Sequence, residues 1–284
     1  MKFLVFGAGG MAGHTISIYL SERGHDVTGF ALTELPFVKT VAGDATDTES
    51  VKKLVREGGF DVVINAIGIL NKSAEDHPAA AVFLNSYFPH FLAEITKDLD
   101  TFVIHMSTDC VFSGKAGHYT EDSFRDGETF YDRTKALGEL VDEKNLTFRN
   151  SIVGPDINEG GIGLFNWFMK QTGEIRGFTK AMWTGMTTLQ LAKMMEKAAT
   201  VHATGLYNMV PDHAISKYDL LGLFNRCFRD GKVGIEPYDG FVCDKTLVRT
   251  RFDFPETVPD YEVMVREMAD WVRAHRELYP HYNF

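Results

Sequence analysis

An apolar run, Phe3-Leu4-Val5-Phe6, breaks directly into Gly7-Ala8-Gly9-Gly10-Met11-Ala12-Gly13, and a helix-length stretch follows to Glu22. This order restricts the fold more than any other part of the chain. The glycines satisfy Gly7-x-x-Gly10-x-x-Gly13 and also Gly7-x-Gly9-x-x-Ala12. Glycine permits the tight turn after a strand and lets the backbone approach a pyrophosphate. The helix behind it offers free N–H groups and the positive end of its dipole. Gly7, Gly10, Met11 and Gly13 are therefore the expected contacts to a dinucleotide. The plainer alternative is an ordinary strand-to-helix turn; the position directly behind an apolar strand favours the ligand.

Strand-like and helix-like runs alternate after this opening, the signature of an α/β fold. Strands are predicted over 2–6, 26–32, 62–66, 102–106 and 147–153. Their nearly continuous apolar content suits a parallel sheet covered on both faces. Helices are predicted over 10–22, 48–57, 78–98 and 131–144, with Gly24 just past the end of the first. Past Val153 the pattern loosens: helices over 164–170, 187–199, 216–228 and 259–278, and a strand over 205–210. The expected architecture is a Rossmann-type doubly wound parallel sheet with a smaller C-terminal substrate-binding cap. Residues 1–153, with 186–212 returning to the sheet, form the dinucleotide-binding part; residues 154–185 and 213–284 form the cap.

Composition narrows the partners. The net charge of −10 argues against nonspecific nucleic-acid binding, which needs a basic face. The apolar run over 62–70 is far short of a bilayer span, so no membrane partner is expected. The apolar start is too short for a signal peptide and reads as a strand. Cys110, Cys227 and Cys243 are widely spaced, which fits free thiols in a reducing cytoplasm. The histidines show no zinc-type spacing, so no metal site is expected. A homodimer is left open.

Cofactor preference is read at the second strand end. An acid there holds the ribose of NAD, and a base holds the NADP phosphate. The acidic position falls on Ala31, and no arginine is near. The cofactor is NADP or NAD, with a lean to NADP. Asp44, with Ala45, follows the next strand end and either accepts from the adenine amino group or caps a helix. Ala66 is small enough for the cofactor to lie close. Asn85, inside a helix, either faces solvent or holds an active-site water or backbone carbonyl.

The chemistry lies downstream. Tyr131 and Lys135 are four residues apart and share a helix face. A free phenol titrates near 10, and a neighbouring ammonium lowers that value. Lys135 can supply this charge and also hold the nicotinamide ribose. Thr108 ends the fifth strand, at the carboxyl edge where such sheets bind ligands, and its hydroxyl can orient a substrate carbonyl. Tyr-x-x-x-Lys alone is common on helix surfaces; behind the glycine loop and Ser107-Thr108 it reads as catalytic.

These residues resemble the extended short-chain dehydrogenase/reductase superfamily, and within it the dTDP-4-dehydrorhamnose reductase family. The similar segments are 104–114 (IHMSTDCVFSG), 119–122 (YTED), 131–139 (YDRTKALGE) and 148–151 (FRNS), with a weaker echo at 242–245 (VCDK). The resemblance implies reduction of a 4-keto-6-deoxy sugar carried on a nucleoside diphosphate. Tyr131 would donate the proton to the new hydroxyl, Lys135 would tune it, and Thr108 would orient the carbonyl. An epimerase of the same superfamily and a non-catalytic dinucleotide-binding regulatory subunit are the alternatives. Cys110 stands where the reductase family usually has Tyr and where related dehydratases have Glu, which removes an acid/base partner for elimination. Ile152 stands where an aromatic residue often lies near the sugar. Arg176, Arg249 and Arg251 are candidate phosphate forks, and Trp183 a candidate stacking platform; surface charges and a core tryptophan are the plainer readings.

Overall fold

Each apolar residue of the first strand is committed to one of two cores, and this sets the layering. In the computed structural model, which describes residues 1–282, β1 (Lys2–Phe6) has Phe3 and Val5 in one buried cluster and Leu4 and Phe6 in another. Successive strand side chains point to opposite faces, so an apolar strand needs a cover on both. α1 (Met11–Glu22) supplies Ile16, Ile18 and Leu20 to the first cluster. α2 (Thr48–Glu57) supplies Val51 and Val55 to the second. Each such side chain contributes roughly 1.5–3 kcal/mol when buried. The last two residues of the expected cap segment, 283–284, lie outside the described residues.

The main sheet adds β2 (Asp26–Ala31), β3 (Lys39–Ala42), β4 (Val62–Asn65), β5 (Phe102–Ser107), β6 (Leu146–Arg149) and, from much later in the chain, β10 (Gly205–Asn208). Its order is β3-β2-β1-β4-β5-β6-β10, and every pairing is parallel. The connection reverses direction between β1 and β4, the crevice where such sheets take ligands. α3 (Asn71–Asp76) and α4 (Pro78–Ala81) follow β4, and α4 runs through a π-helical turn, Val82–Tyr87, into α5 (Phe88–Thr96). The single helix predicted over 78–98 thus carries a bulge, and Asn85 sits within it, fully buried. α6 (Phe130–Leu137) opens on a capping box between Thr129 and Asp132. It ends well before the predicted 144. Gly138 closes it with its nearest backbone contact on the Asn85 carbonyl, where no side chain would fit.

The strand predicted over 147–153 is divided at Asn150. β7 (Ser151–Val153) leaves the main sheet and pairs with β9 (Gly185–Thr187). Between them lie α7 (Leu164–Met169) and β8 (Glu174–Trp183). α8 (Thr188–Val201) then packs beside α1, placing Leu191, Met194, Met195 and Ala198 in the first core. β11 (Ile215–Ser216), α9 (Lys217–Phe228), β12 (Gly234–Asp244) and α10 (Tyr261–Ala274) complete the chain order. β11 and β12 flank β8 in a second, three-stranded sheet. No described helix is long and apolar enough to cross a membrane.

One buried ion pair joins the strand ends. Arg149, at the end of β6, donates from Nε to Glu139 Oε1 at 2.7 Å and from Nη2 to Oε2 at 2.8 Å, and both side chains are fully buried. Ser107 donates to the same carboxylate at 2.6 Å, and Arg125 adds a further bond. Arg149 Nη1 reaches Asn208 Oδ1 at 3.2 Å on β10 and the Glu121 carbonyl at 3.3 Å. Burial alone would raise the Glu139 pKa; Arg149, Ser107 and Arg125 together hold the carboxyl below its usual range. Removing one partner of such a pair leaves an uncompensated buried charge. Glu139→Gln is expected to lower the unfolding free energy by roughly 3–5 kcal/mol in urea titrations. An unchanged midpoint would show that the pair does not hold the strand ends together.

Candidate active site

The glycine loop lies at the carboxyl edge of the sheet, at the β1/β4 crevice. Gly7 and Ala8 donate to the Phe30 carbonyl at 3.0 and 3.2 Å, and Gly10 donates back to Gly7 O at 3.0 Å. Gly7 has φ +81, and a Cβ there would lie 3.1 Å from the Ala66 carbonyl group. At Gly13 a Cβ would overlap the Gly7 carbonyl, so helix and strand approach more closely than any side chain allows. The result is an open cradle beneath the first turn of α1, whose leading N–H groups lack intrahelical partners. This cradle fits a pyrophosphate.

The other expected cofactor residues sit around it with different roles open to them. The Met11 thioether turns toward Gly163, where an added Cβ would be 2.9 Å away, so only the Met11 backbone faces the cradle. Asp44 is exposed and accepts from the Thr46 N–H at 2.8 Å, which makes it a turn cap with one oxygen still open. The helix cap itself is Asp47, three residues later. Ala45 is buried in the core with Phe30 and Val51. Ala66 donates to the Phe6 carbonyl at 3.0 Å and abuts Gly7.

Thr108, Tyr131 and Lys135 converge at the end of β5. Tyr131 and Lys135 lie on the inward face of α6, 7% and 4% exposed. Tyr131 is enclosed by Ala74 and Ala81, with Ile69 and Cys110 beside them. Burial pushes its phenol well above the ordinary value, the Cys110 thiol adds to the rise, and a hydrogen bond with Thr108 opposes it. The Thr108 hydroxyl also donates to Asp109 at 3.1 Å and accepts from the Cys110 N–H at 3.1 Å. Lys135 donates to the Met106 carbonyl at 2.7 Å, and burial lowers its pKa to about 8 against the pull of Glu139. The sequence leads one to expect the ammonium to depress the phenol; in the folded protein burial raises it, the opposing contact is the Thr108 hydroxyl, and the phenol holds its proton. The Cys110 thiol is itself pushed up to about 12 by burial and then by Asp109, so it stays neutral.

Several supporting residues have no recognisable motif. Asn85 accepts from the Ile69 N–H at 2.8 Å and donates to the Ile69 carbonyl at 2.9 Å and to Thr134 at 3.1 Å. It therefore clamps the loop after β4 to the helix bearing Tyr131, the backbone-holding role rather than the solvent-facing one. His105 is fully buried behind Lys135, bonded to Asn65 at 3.2 Å; burial, then the Lys135 charge, keeps it neutral. His14 links the Gly10 carbonyl, 2.9 Å away, to the Tyr279 hydroxyl at 2.8 Å, and burial lowers its pKa to about 4. Asn158 donates to the Gly9 carbonyl at 3.2 Å. Gly154-Pro155 and the glycines at 160, 161 and 163 are the local turn signals in that segment. Trp183 is a core residue, 5% exposed, packed on Tyr261.

A probable low-salt glycan biosynthesis reductase of Haloferax volcanii is 35% identical over 143 residues, which is 49% of this chain and 48% of the relative. The chain thus spans about half the length of that relative. A dTDP-4-dehydrorhamnose reductase of Burkholderia thailandensis is 29% identical over 74% of this chain and 72% of its own. Among solved structures, a dTDP-4-dehydrorhamnose reductase of Clostridium acetobutylicum superposes with a TM-score of 0.80 at 22% identity, covering 96% of this chain and 100% of that one, and so shares the fold. The family model described as the RmlD substrate binding domain matches residues 1–228, and the chain belongs to that family.

Proposed function

We propose that this protein reduces the 4-keto group of a 6-deoxy sugar carried on a nucleoside diphosphate, using NADPH or NADH, as a dTDP-4-dehydrorhamnose reductase-like enzyme. The observation that carries this reading is the meeting of Thr108 and the Tyr131 phenol at the end of β5, with Lys135 buried beside them. The relatives named as reductases of this sugar class support it. In this reading the nucleotide sugar is the partner and the cytoplasm the place of action. Residues 1–153 with 186–212 would hold the cofactor, at Gly7, Gly10, Met11, Gly13, Asp44, Ala45, Ala66 and Lys135. The cap would close over the sugar.

When bound, the reduced nicotinamide supplies the hydride. Thr108 holds the substrate carbonyl in the position its hydroxyl now takes against Tyr131. Tyr131 keeps its proton until negative charge develops on the carbonyl oxygen and then donates it. A phenol with a raised pKa suits this direction, because it gives up its proton only to a stronger base. Lys135 keeps a positive charge close to the phenol as that proton leaves. The neutral Cys110 offers no carboxylate for elimination at the neighbouring carbon.

The protein mixed with NADPH or NADH and a panel of 4-keto-6-deoxy nucleotide sugars is expected to consume the reduced cofactor stoichiometrically. Absence of consumption with every sugar would reject the reading. Tyr131→Phe is expected to lower kcat by roughly 10²–10⁴-fold while cofactor affinity stays near wild type; a fully active variant would remove Tyr131 from the acid role. Lys135 is cationic below its pKa of about 8 and loses that charge as pH rises. The profile of kcat/KM is therefore expected to fall above about pH 8, and Lys135→Met should lack this limb.

A further inference from the structure

We infer that the C-terminal segment positions the dinucleotide cradle: Tyr279 acting through His14, and Tyr282 acting through Asp156 and Asn158, hold the Gly10 and Gly9 carbonyls of the glycine loop. The inference rests on the cofactor site proposed above and names the residues that keep that site in shape.

The first turn of α1 needs support from outside the helix. Gly10 precedes it, and among the described residues no side chain caps the helix start. The first turn carries no acidic residue either. Its leading N–H groups are therefore open to a phosphate, but the turn also lacks the contacts that usually hold a helix end against fraying. The support comes from the helix side. Gly10 O accepts the ordinary helical bond from the His14 N–H at 3.0 Å and a second bond from His14 Nδ1 at 2.9 Å. A carbonyl can only accept, so Nδ1 carries the proton of the neutral ring that burial favours. Nε2 is then an acceptor, and the Tyr279 hydroxyl, 2.8 Å away, donates to it. Trp271 Nε1 donates in turn to the Tyr279 oxygen at 3.4 Å. Every proton in this relay points toward the glycine loop, and all three side chains are buried.

A second branch reaches the neighbouring carbonyl. Asn158 Nδ2 donates to Gly9 O at 3.2 Å. Asn158 is itself fixed by Asp156, whose Oδ1 accepts from the Asn158 N–H at 2.9 Å and from its Nδ2 at 3.1 Å. The Asp156 N–H donates to the Tyr282 hydroxyl at 2.9 Å. Tyr279 and Tyr282 stack on each other, with ring centroids 5.7 Å apart and planes 16° from parallel. The segment that carries them meets α1 again where His275 Nε2 lies 2.8 Å from Glu22 Oε1. Two consecutive loop carbonyls are thus held by two branches with one root. The loop's own bonds, from Gly7 and Ala8 to Phe30 O and from Gly10 to Gly7 O, run to the strand side. A loop held from both sides has less freedom to lose when a pyrophosphate arrives, and it binds more tightly for that reason.

Calorimetric binding of NADPH and NADH to the intact chain without sugar, alongside steady-state kinetics, tests the inference. The variants are Tyr279→Phe, which removes only a hydroxyl, and Asn158→Ala, at an exposed position. Each is expected to raise the dissociation constant and KM of the cofactor about three- to tenfold, the loss of one positioning hydrogen bond. At saturating cofactor kcat should stay near wild type, because these bonds end on the glycine loop and not at Thr108 or Tyr131. His14→Asn, whose amide N–H can stand in for Nδ1, should restore most of the affinity that His14→Ala loses. A role confined to stability would lower the melting temperature and leave the affinity of the folded protein intact. That result, or unchanged affinity in both single variants, would overturn the inference alone, since cofactor binding by the wild type upholds the site itself. Wild-type protein that binds neither NADPH nor NADH would overturn the cofactor site and the inference together.

Discussion

The guanidinium–carboxylate fork between Arg149 and Glu139 is the contact on which the site's geometry depends. It lies in the interior, where each charge costs several kcal/mol to strip of water, and only a well-formed bidentate pair with further hydrogen bonds offsets that. Here the further bonds come from different parts of the chain: Ser107 at the end of β5, Asn208 on β10, the Glu121 carbonyl in the segment ahead of α6, and Arg125. A slip of any one of these would leave a buried charge short of partners. The cluster therefore sets where β5 ends, and Thr108 is the next residue. The Phe112 ring, 5.0 Å below the guanidinium, closes the cluster from the loop side.

Burial governs the chemistry around that point as much as charge does. Tyr131 and Lys135 sit on one helix turn, yet they are driven in opposite directions: the phenol toward its protonated form, the ammonium toward losing its charge. Both shifts have the same physical origin, since a low-dielectric surrounding disfavours whichever form is charged. The hydrogen bond from Thr108 acts against this at the phenol, which makes Thr108 part of the proton's environment as well as a substrate contact. Neutral His105 behind Lys135 adds no second positive charge to a site that has little solvent to screen it.

Much of this was legible in the chain. The glycine loop, the apolar strands and the Tyr131–Lys135 spacing are local features, and each forms where its residues lead one to expect. The π turn was not legible, because Val82 to Tyr87 has ordinary helical composition and only the pull of Ile69 and Thr134 on Asn85 accompanies the bulge. β12 escaped for a different reason. Its side chains are largely exposed, so it lacks the apolar alternation that marks a strand, and its pairing with β8 supplies the order. The helix of Tyr131 was read too long, because Gly138 to Lys144 is compatible with a helix until the Asn85 carbonyl occupies the space.

The chain by itself determined a dinucleotide cradle, a parallel sheet and the three side chains that meet at the end of β5. These rest on glycine's missing Cβ and on the periodicities of strand and helix, which act over a few residues. Only the tertiary structure decided that the phenol keeps its proton and that Arg249 and Arg251 are engaged with backbone and neighbouring side chains. Those outcomes depend on burial and on partners far away in sequence, and no local pattern encodes either.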